Sequence, residues 1–270
     1  MHVDDVIATF RSSDQSDYPE LAGYSRDEIY KDCMGGGALY LAARMVRLMH
    51  LRPDDVVMDL GCGKGATSAF LARRFGVNVV AVDLCTSAES LAEKVAGHGC
   101  RDRVLPLNLD ITEKLPFAES YFDSIFCMNS LSFYGGSTEF LGHLLKHLRQ
   151  GGEFCVGMES LTDEFTEAQL ANPPAVYNYR LPTGEDIWEG DFRQMHSPGW
   201  WQRLFSDSGL LDVYHCAELP EAEVLYEDLV LYEMAHDPDS DNVHRSIAQI
   251  EWGRENRPAK TLFTLAARKL

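Results

Sequence analysis

Val56-Val57-Met58-Asp59-Leu60-Gly61-Cys62-Gly63-Lys64-Gly65-Ala66-Thr67-Ser68 is the stretch that decides the fold. An apolar run closes on an acid. Glycines follow at alternate positions, and then a helix-forming stretch begins. This order predicts a buried strand, a tight turn and a helix N-terminus, with bare backbone that a ligand can approach closely. A second apolar run, Val77 to Val82, ends in Asp83. An acid at the end of a second strand is where a ribose is held in nucleotide-binding units of this kind.

Working outward, the helix after Gly65 is expected to run through Phe75 and stop at Gly76. Strand two is expected over 77–84, then a helix over 87–98 with Ser87 as its cap. Strand three is expected over 104–109, closing on Asp110, and strand four over 122–128, with Asn129 and Ser130 at its tip. A helix over 137–148, stopped by Gly151-Gly152, leads to strand five over 153–158, with Glu159 at its tip. Strands alternating with helices predict parallel βαβ units in a doubly wound α/β sheet. Ligands of such sheets sit beyond the carboxyl ends of the strands. Asp59, Gly61, Asp83, Asp110, Asn129 and Glu159 all fall there.

Ahead of this core, residues 1–30 are polar and irregular. Met34-Gly35-Gly36-Gly37 precedes a helix expected over 38–50 with Leu41, Met45, Leu48 and Met49 on one face. The glycines fit both a backbone that faces a ligand and a flexible hinge. After strand five the rhythm breaks. Residues 161–196 carry Tyr177, Tyr179, Trp188, Phe192 and His196 without periodicity, which reads as a lid over the carboxyl edge of the sheet. Ser197-Pro198 starts a helix holding Trp200 and Trp201. A sixth strand is expected over 211–219, two helical pieces over 220–258, and a last strand over 261–267. The expected division is an arm at 1–36, a core at 37–160, a lid at 161–200, and the rest of the sheet at 201–270 with a helical insertion at 220–258.

The 270 residues, 45% apolar and 24% charged, suit one large α/β domain with an elaborated cap. A net charge of −18 disfavours nucleic acid as a partner. Seven cysteines without a CxxC pair read as reduced thiols of a cytoplasmic protein. Residues 1–18, polar and acid-bearing, are not expected to act as a signal peptide, and no apolar run approaches the roughly 20 residues of a membrane span. A homodimer is compatible with these features.

Asp59-Leu60-Gly61-Cys62-Gly63-Lys64-Gly65 resembles the first motif of the class I, S-adenosylmethionine-dependent methyltransferases, small-molecule type. Leu109-Asp110-Ile111, Leu115-Pro116-Phe117, Phe122-Asp123 and Leu148-Arg149-Gln150-Gly151-Gly152 follow in that family's order. Gln150 stands where the family usually has proline. The resemblance covers residues 35–160, and more weakly 197–219. It implies a seven-stranded, mostly parallel Rossmann-like sheet and S-adenosylmethionine as cofactor. It also implies that Asp83 binds the ribose hydroxyls and that Asp110, beside Ile111, meets the adenine amino group. Gly35, Gly36 and Gly37 resemble a segment that closes over the methionine end. Asp59, Gly61, Cys62, Gly63, Gly65, Leu84 and Asn129 complete the expected cofactor site.

In-line methyl transfer needs an aligned acceptor, excluded water and, for some acceptors, a base. Glu159 and His196 are the candidates for that base. Phe133, Tyr134, Tyr177, Trp188 and Trp200 are the candidates for an aromatic acceptor pocket. Trp200 and Trp201 diverge by about 100° on a helix, so one faces the pocket and the other the core. His143 and His147 have metal-compatible spacing but no evident third ligand, so no metal is expected. Asn172-Pro173-Pro174 is similar to the Asn-Pro-Pro-Tyr motif of amino-methylating members. It lies after strand five, however, and Ala175 replaces the aromatic, so it reads as a turn. The expected function is methyl transfer to a small molecule. The rivals are a protein or RNA methyltransferase, an aminopropyltransferase, a non-catalytic adenosylmethionine-binding module, and a nicotinamide dehydrogenase. The last is disfavoured by the glycine spacing and by Asp110.

Overall fold

β1 (Val56–Leu60) lies at the centre of the sheet, paired in parallel with β2 (Asn78–Asp83) on one side and β4 (Phe122–Met128) on the other. A computed structural model describes residues 3–134, 136–172 and 194–270 of the chain. The seven strands run in the order β3-β2-β1-β4-β5-β7-β6, with β3 at Val104–Asn108, β5 at Leu148–Leu161, β6 at Leu211–Glu218 and β7 at Lys260–Lys269. β7 is antiparallel to both β5 and β6, and the other pairings are parallel. The order reverses between β1 and β4, which opens the crevice where ligands of such sheets bind.

Both faces of the sheet are covered, so its strands read as continuous apolar runs. On one face Leu41 and Met45 of a helix at Ala38–Val46 pack with Phe70 and Leu71 of a helix at Ala66–Phe75 and Leu91 of a helix at Ala88–Gly97. On the other, Leu141 and Leu144 of a helix at Thr138–Leu145 pack with Trp201 and Phe205 of a helix at Pro198–Asp207. Ser87, Ser137 and Ser197 each accept a backbone N–H at their helix start, as N-cap residues do.

Several expected boundaries move. β5 runs on to Leu161, so Glu159 lies within the strand, opposite Leu262 of β7, and not beyond its end. The helix expected over 137–148 ends at Leu145, because Leu148 already pairs with Phe122 as the start of β5. Gly151-Gly152 therefore stops no helix. It lies in the bulge between the pairs Phe122–Leu148 and Ser124–Glu153. Gly151 is left-handed, and a Cβ at Gly152 would lie 2.8 Å from the carbonyls of Arg149 and Asp123. The helix expected over 38–50 ends at Val46 and continues as turns through Met49.

The N-terminal segment and two helices near the C-terminus, Ala222–His236 and Asp241–Glu255, form one cap. Val6 packs with Val230, Val243 and Ile247. Glu227 and Asp228, adjacent and with fully buried side chains, fasten the arm. Arg11 donates to Glu227 from its backbone N–H and its guanidinium, and Arg254 donates to the same carboxylate. Arg26 and the Tyr30 hydroxyl both donate to Asp228. Tyr30 stacks on Tyr232, with ring centroids 4.7 Å apart. Burial opposes ionisation of Glu227, but the bonds from Arg11 and Arg254 more than offset it and hold the carboxyl below its ordinary range.

Candidate active site

Gly61, Gly63 and Gly65 all have left-handed φ, of 69°, 54° and 85°. The turn is tied to β2: the N–H groups of Gly61 and Cys62 donate to Val82 O, and Gly63 N–H donates to Asp83 Oδ2 at 2.9 Å. Bare backbone is not the whole reason for the glycines. A Cβ at Gly61 would overlap Ser130 and the Tyr134 hydroxyl, and one at Gly65 would overlap Leu91. At Gly63 it would meet Met34 Sδ at an ordinary 3.7 Å, so the backbone angle is what requires glycine there.

Asp59 is fully buried under the turn. Its Oδ2 accepts from the Thr67 and Ser68 hydroxyls, each at 2.6 Å, in the first turn of the following helix. Its Oδ1 has no partner among the described residues. Burial pushes this carboxyl up to about 6 against the lowering effect of the Ser68 and Thr67 bonds. Asp83 accepts at Oδ1 from the N–H groups of Cys85 and Thr86, both at 2.8 Å. Asp110 is exposed, and the Thr112 hydroxyl and N–H, bonding to its Oδ1, lower its pKa. Ile111 and Cys62 are buried. Around these tips three apolar side chains stand in solvent: Met34 and Leu84 at 58% exposure and Phe133 at 65%.

Asn108, which the sequence reading did not single out, holds the loop after β2. Its Nδ2 donates to the carbonyls of Asp83, Leu84 and Thr86. An amide at the end of β3, two places before Asp110, was the available signal.

The segment Met34-Gly35-Gly36 is a strap. Met34 lies against Gly63, and the carbonyls of Met34 and Gly36 accept from Asn129 Nδ2 at 3.2 and 3.0 Å. Asn129, with φ of 53°, also accepts at Oδ1 from Glu159 N–H at 3.0 Å. Gly35 and Gly37 are left-handed, and a Cβ at Gly36 would approach Tyr226 Cε1 to 2.7 Å.

Behind the strap is a cavity of about 550 Å³. It is lined by Gly35 and Gly36, by Glu159 and Lys260 at the sheet edge, and by the inner faces of the cap helices, including Tyr226, Leu229 and Gln249. Glu159 Oε1 is paired with Lys260 Nζ at 2.8 Å. Its Oε2 would lie 3.4 Å from a Cβ at Gly36, so it sits where strap and cavity meet. A second cavity, of about 310 Å³, lies between the arm and the Ala66–Phe75 and Ala88–Gly97 helices and includes none of the expected site residues.

The remaining candidates are placed elsewhere. His196 bonds through Nδ1 to Glu164 at 3.0 Å and stacks on Trp200, with centroids 3.7 Å apart. It lines neither cavity. Trp200 packs against Gly136 and crosses the buried Trp201 at 81°. Tyr134 stacks on Phe140 and touches the glycine turn, and Phe133 faces solvent. The expected aromatic wall is therefore not assembled around the larger cavity from Phe133, Tyr134 and Trp200, because their rings are spent on the β4 side of the sheet or exposed. Tyr177 and Trp188 lie outside the described residues. So do Tyr179, Phe192 and most of the Asn172-Pro173-Pro174 turn.

Residues 57–152 match a family model described as a methyltransferase domain. This match and the strand order make the core of the chain similar to the class I, Rossmann-like methyltransferase domains. It is 28% identical over 137 residues to phosphoethanolamine N-methyltransferase 1 of Arabidopsis thaliana, covering 48% of this chain and 27% of that protein. The chain thus spans about a quarter of that relative's length, and it spans 48% of the next curated relative. Two solved structures share the fold. Geranyl diphosphate C-methyltransferase from Streptomyces coelicolor A3(2) has a TM-score of 0.63 at 17% identity, over 95% of this chain and 98% of that one. Phosphoethanolamine N-methyltransferase 2 of Haemonchus contortus has a TM-score of 0.66 at 15% identity, over 95% of this chain and 60% of that one.

Proposed function

We propose that the chain transfers a methyl group from S-adenosylmethionine to a small-molecule acceptor seated in the cavity behind the strap. One observation carries this reading. Met34 touches the glycine turn while Gly35 and Gly36 line the cavity, so a methyl carried by a ligand at the turn and an acceptor in the cavity would meet directly at the rim of the strap, with no backbone between them. The names of the relatives, enzymes acting on phosphoethanolamine and geranyl diphosphate, agree with a small acceptor. A cavity of about 550 Å³ is within the usual range for small-molecule sites.

The residues present fit the cofactor. Asp59 keeps one buried oxygen without a partner beside the turn, the kind of acceptor that a cationic ligand satisfies. Asp83 would hold the ribose hydroxyls, and Asp110 would meet the adenine amino group. Leu84 and Phe133 offer exposed apolar surface for a flat base. When bound, S-adenosylmethionine supplies a methyl on a sulfonium that leaves as a neutral thioether without needing an acid. The protein's part is then to align the acceptor, exclude water and take a proton where the acceptor has one to lose. Glu159, steadied by Lys260 and facing the strap, is the group we assign to that last task. His196 is occupied by Glu164 and Trp200 and lines neither cavity, so it is not assigned that task. In this reading residues 1–36 and 220–258 close the cavity, 37–160 holds the cofactor and 201–270 completes the sheet. The cysteines among the described residues are free thiols, which agrees with a reducing, cytoplasmic setting.

The test is methyl-labelled S-adenosylmethionine supplied with a fractionated small-metabolite extract. The expected result is label in a small-molecule product. Label that enters only protein or RNA would overturn the choice of acceptor class.

A further inference from the structure

Asn129 was expected to touch the cofactor. Its bonds give it another task. The amide can make two donor and two acceptor bonds. Both donors are spent on the strap, on the carbonyls of Met34 and Gly36. The oxygen is taken by the N–H of Glu159. The backbone is fixed as well, since Asn129 N–H donates to Gly157 O at 2.9 Å. The side chain that does this sits on a left-handed backbone, φ 53°, a conformation that asparagine tolerates better than most residues. The strap has been fitted to it in turn. A Cβ at Gly35 would lie 2.9 Å from Asn129 Nδ2 and 3.2 Å from its Cβ. The next residue continues the pattern, for Ser130 Oγ donates to Leu60 O at 2.7 Å, one place before the glycine turn.

We infer that Asn129 is a positioning residue that latches the Met34–Gly36 strap to the tip of β4 and to Glu159 of β5. The latch joins three parts that the reaction needs in fixed relation: the wall over the glycine turn, the lip of the cavity and the backbone of Glu159. Strap and Glu159 are held by opposite ends of one planar amide. Moving the strap off the turn therefore moves, or unbonds, the residue that faces the acceptor. Cofactor closure and acceptor alignment become one event. The kinetic consequence rests on the methyl-transfer reading. The latch itself rests only on the bonds.

Two variants separate the bonds. Asn129→Asp keeps the shape, the left-handed backbone and the acceptor for Glu159 N–H, but sets an oxygen against the two strap carbonyls. Asn129→Gly keeps the backbone and removes all the side-chain bonds. The first readout is hydrogen exchange of the bonded amides that flank the strap, Cys33, which donates to Tyr30 O, and Leu41, which donates to Gly37 O, in ligand-free protein, with amides of β1 and β4 as internal references. Both variants should speed strap exchange at least about tenfold, the scale of two net hydrogen bonds, while the strand references stay unchanged. Unchanged strap exchange in both variants would overturn the latch, as would a uniform rise across the strands, which would mark a merely structural residue. The second readout is titration with S-adenosylmethionine, where the affinity of Asn129→Asp should fall about tenfold in step with the exchange. A wild-type protein that ignores S-adenosylmethionine, with the strap effect intact, would sink the methyl-transfer reading and leave the latch standing.

Discussion

Asp59, Asp83 and Asp110 at the strand tips are bonded by backbone N–H groups and hydroxyls, whereas Glu227 and Asp228 in the cap are bonded by arginines. The two regions treat the same chemistry in opposite ways. In the cap, buried carboxylates are neutralised within the chain, as buried charges must be to stay ionised. At the tips, no cation among the described residues pairs with the three acids, and one buried oxygen of Asp59 has no partner. The cap's acids are fasteners. Those at the tips are, in the proposed function, the acids that would meet a cationic, hydroxyl-bearing ligand. The difference also appears in titration. Burial raises Asp59 to about 6, while the bonds from arginine lower Glu227.

The largest effect should come from crowding the tips. Gly61→Ala puts a Cβ into Ser130 and Tyr134 on a left-handed backbone. Strain and overpacking together should cost about 3 kcal/mol, read by urea unfolding, and adenosyl-ligand binding should be lost. An alanine variant within about 0.5 kcal/mol of wild type would break the view that this turn is packed as well as bare.

Next is Asp59→Asn. Because the folded pKa of about 6 lies above the ordinary carboxyl value of 3.8, the native state binds this proton more tightly. Its contribution is full below 3.8 and is lost as pH rises through about 6. At pH 8 the buried charge should cost on the order of 3 kcal/mol, so Asp59→Asn should be more stable than wild type there and similar at pH 4. A variant less stable at pH 8 would mean that the carboxylate is already compensated. The same titration should weaken a cationic ligand below about pH 6.

Glu227→Gln should show the opposite trend and a smaller effect. Its pKa is lowered, so its contribution is present above the ordinary value of 4.5 and lost as pH falls through the folded value. The variant should lose about 1–2 kcal/mol at pH 7, since Arg11 and Arg254 are partly exposed. Proteolysis of the arm, followed by mass spectrometry, should quicken, and equal rates in both proteins would detach Glu227 from the arm.

Much of the cofactor half was legible in the sequence because its signals are local. The run 56–68 contains its own strand, turn and helix start, and Asp83 and Asp110 follow their strands directly. What was not legible is held by contacts between distant segments. Arg11 meets Glu227 across 216 positions and Arg26 meets Asp228 across 202, and no local pattern pairs them. The same holds for Leu148, read as the end of a helix until Phe122 is placed beside it. Asn129 was legible as a tip residue. Its bonding to the strap was not, because the strap's carbonyls lie more than 90 positions away. The larger cavity is lined mostly by the cap helices and the strap, whereas the sequence pointed to Phe133, Tyr134, Tyr177, Trp188 and Trp200.

The measurement that bears most directly on the central claim is calorimetric titration of the full chain at pH 8 with S-adenosylmethionine, its demethylated product and NAD. The account predicts binding of both adenosyl ligands in the micromolar range, little or no response to NAD, and loss of adenosyl binding in Asp83→Ala with the fold retained. No binding of either adenosyl ligand, or full affinity in Asp83→Ala, would contradict it.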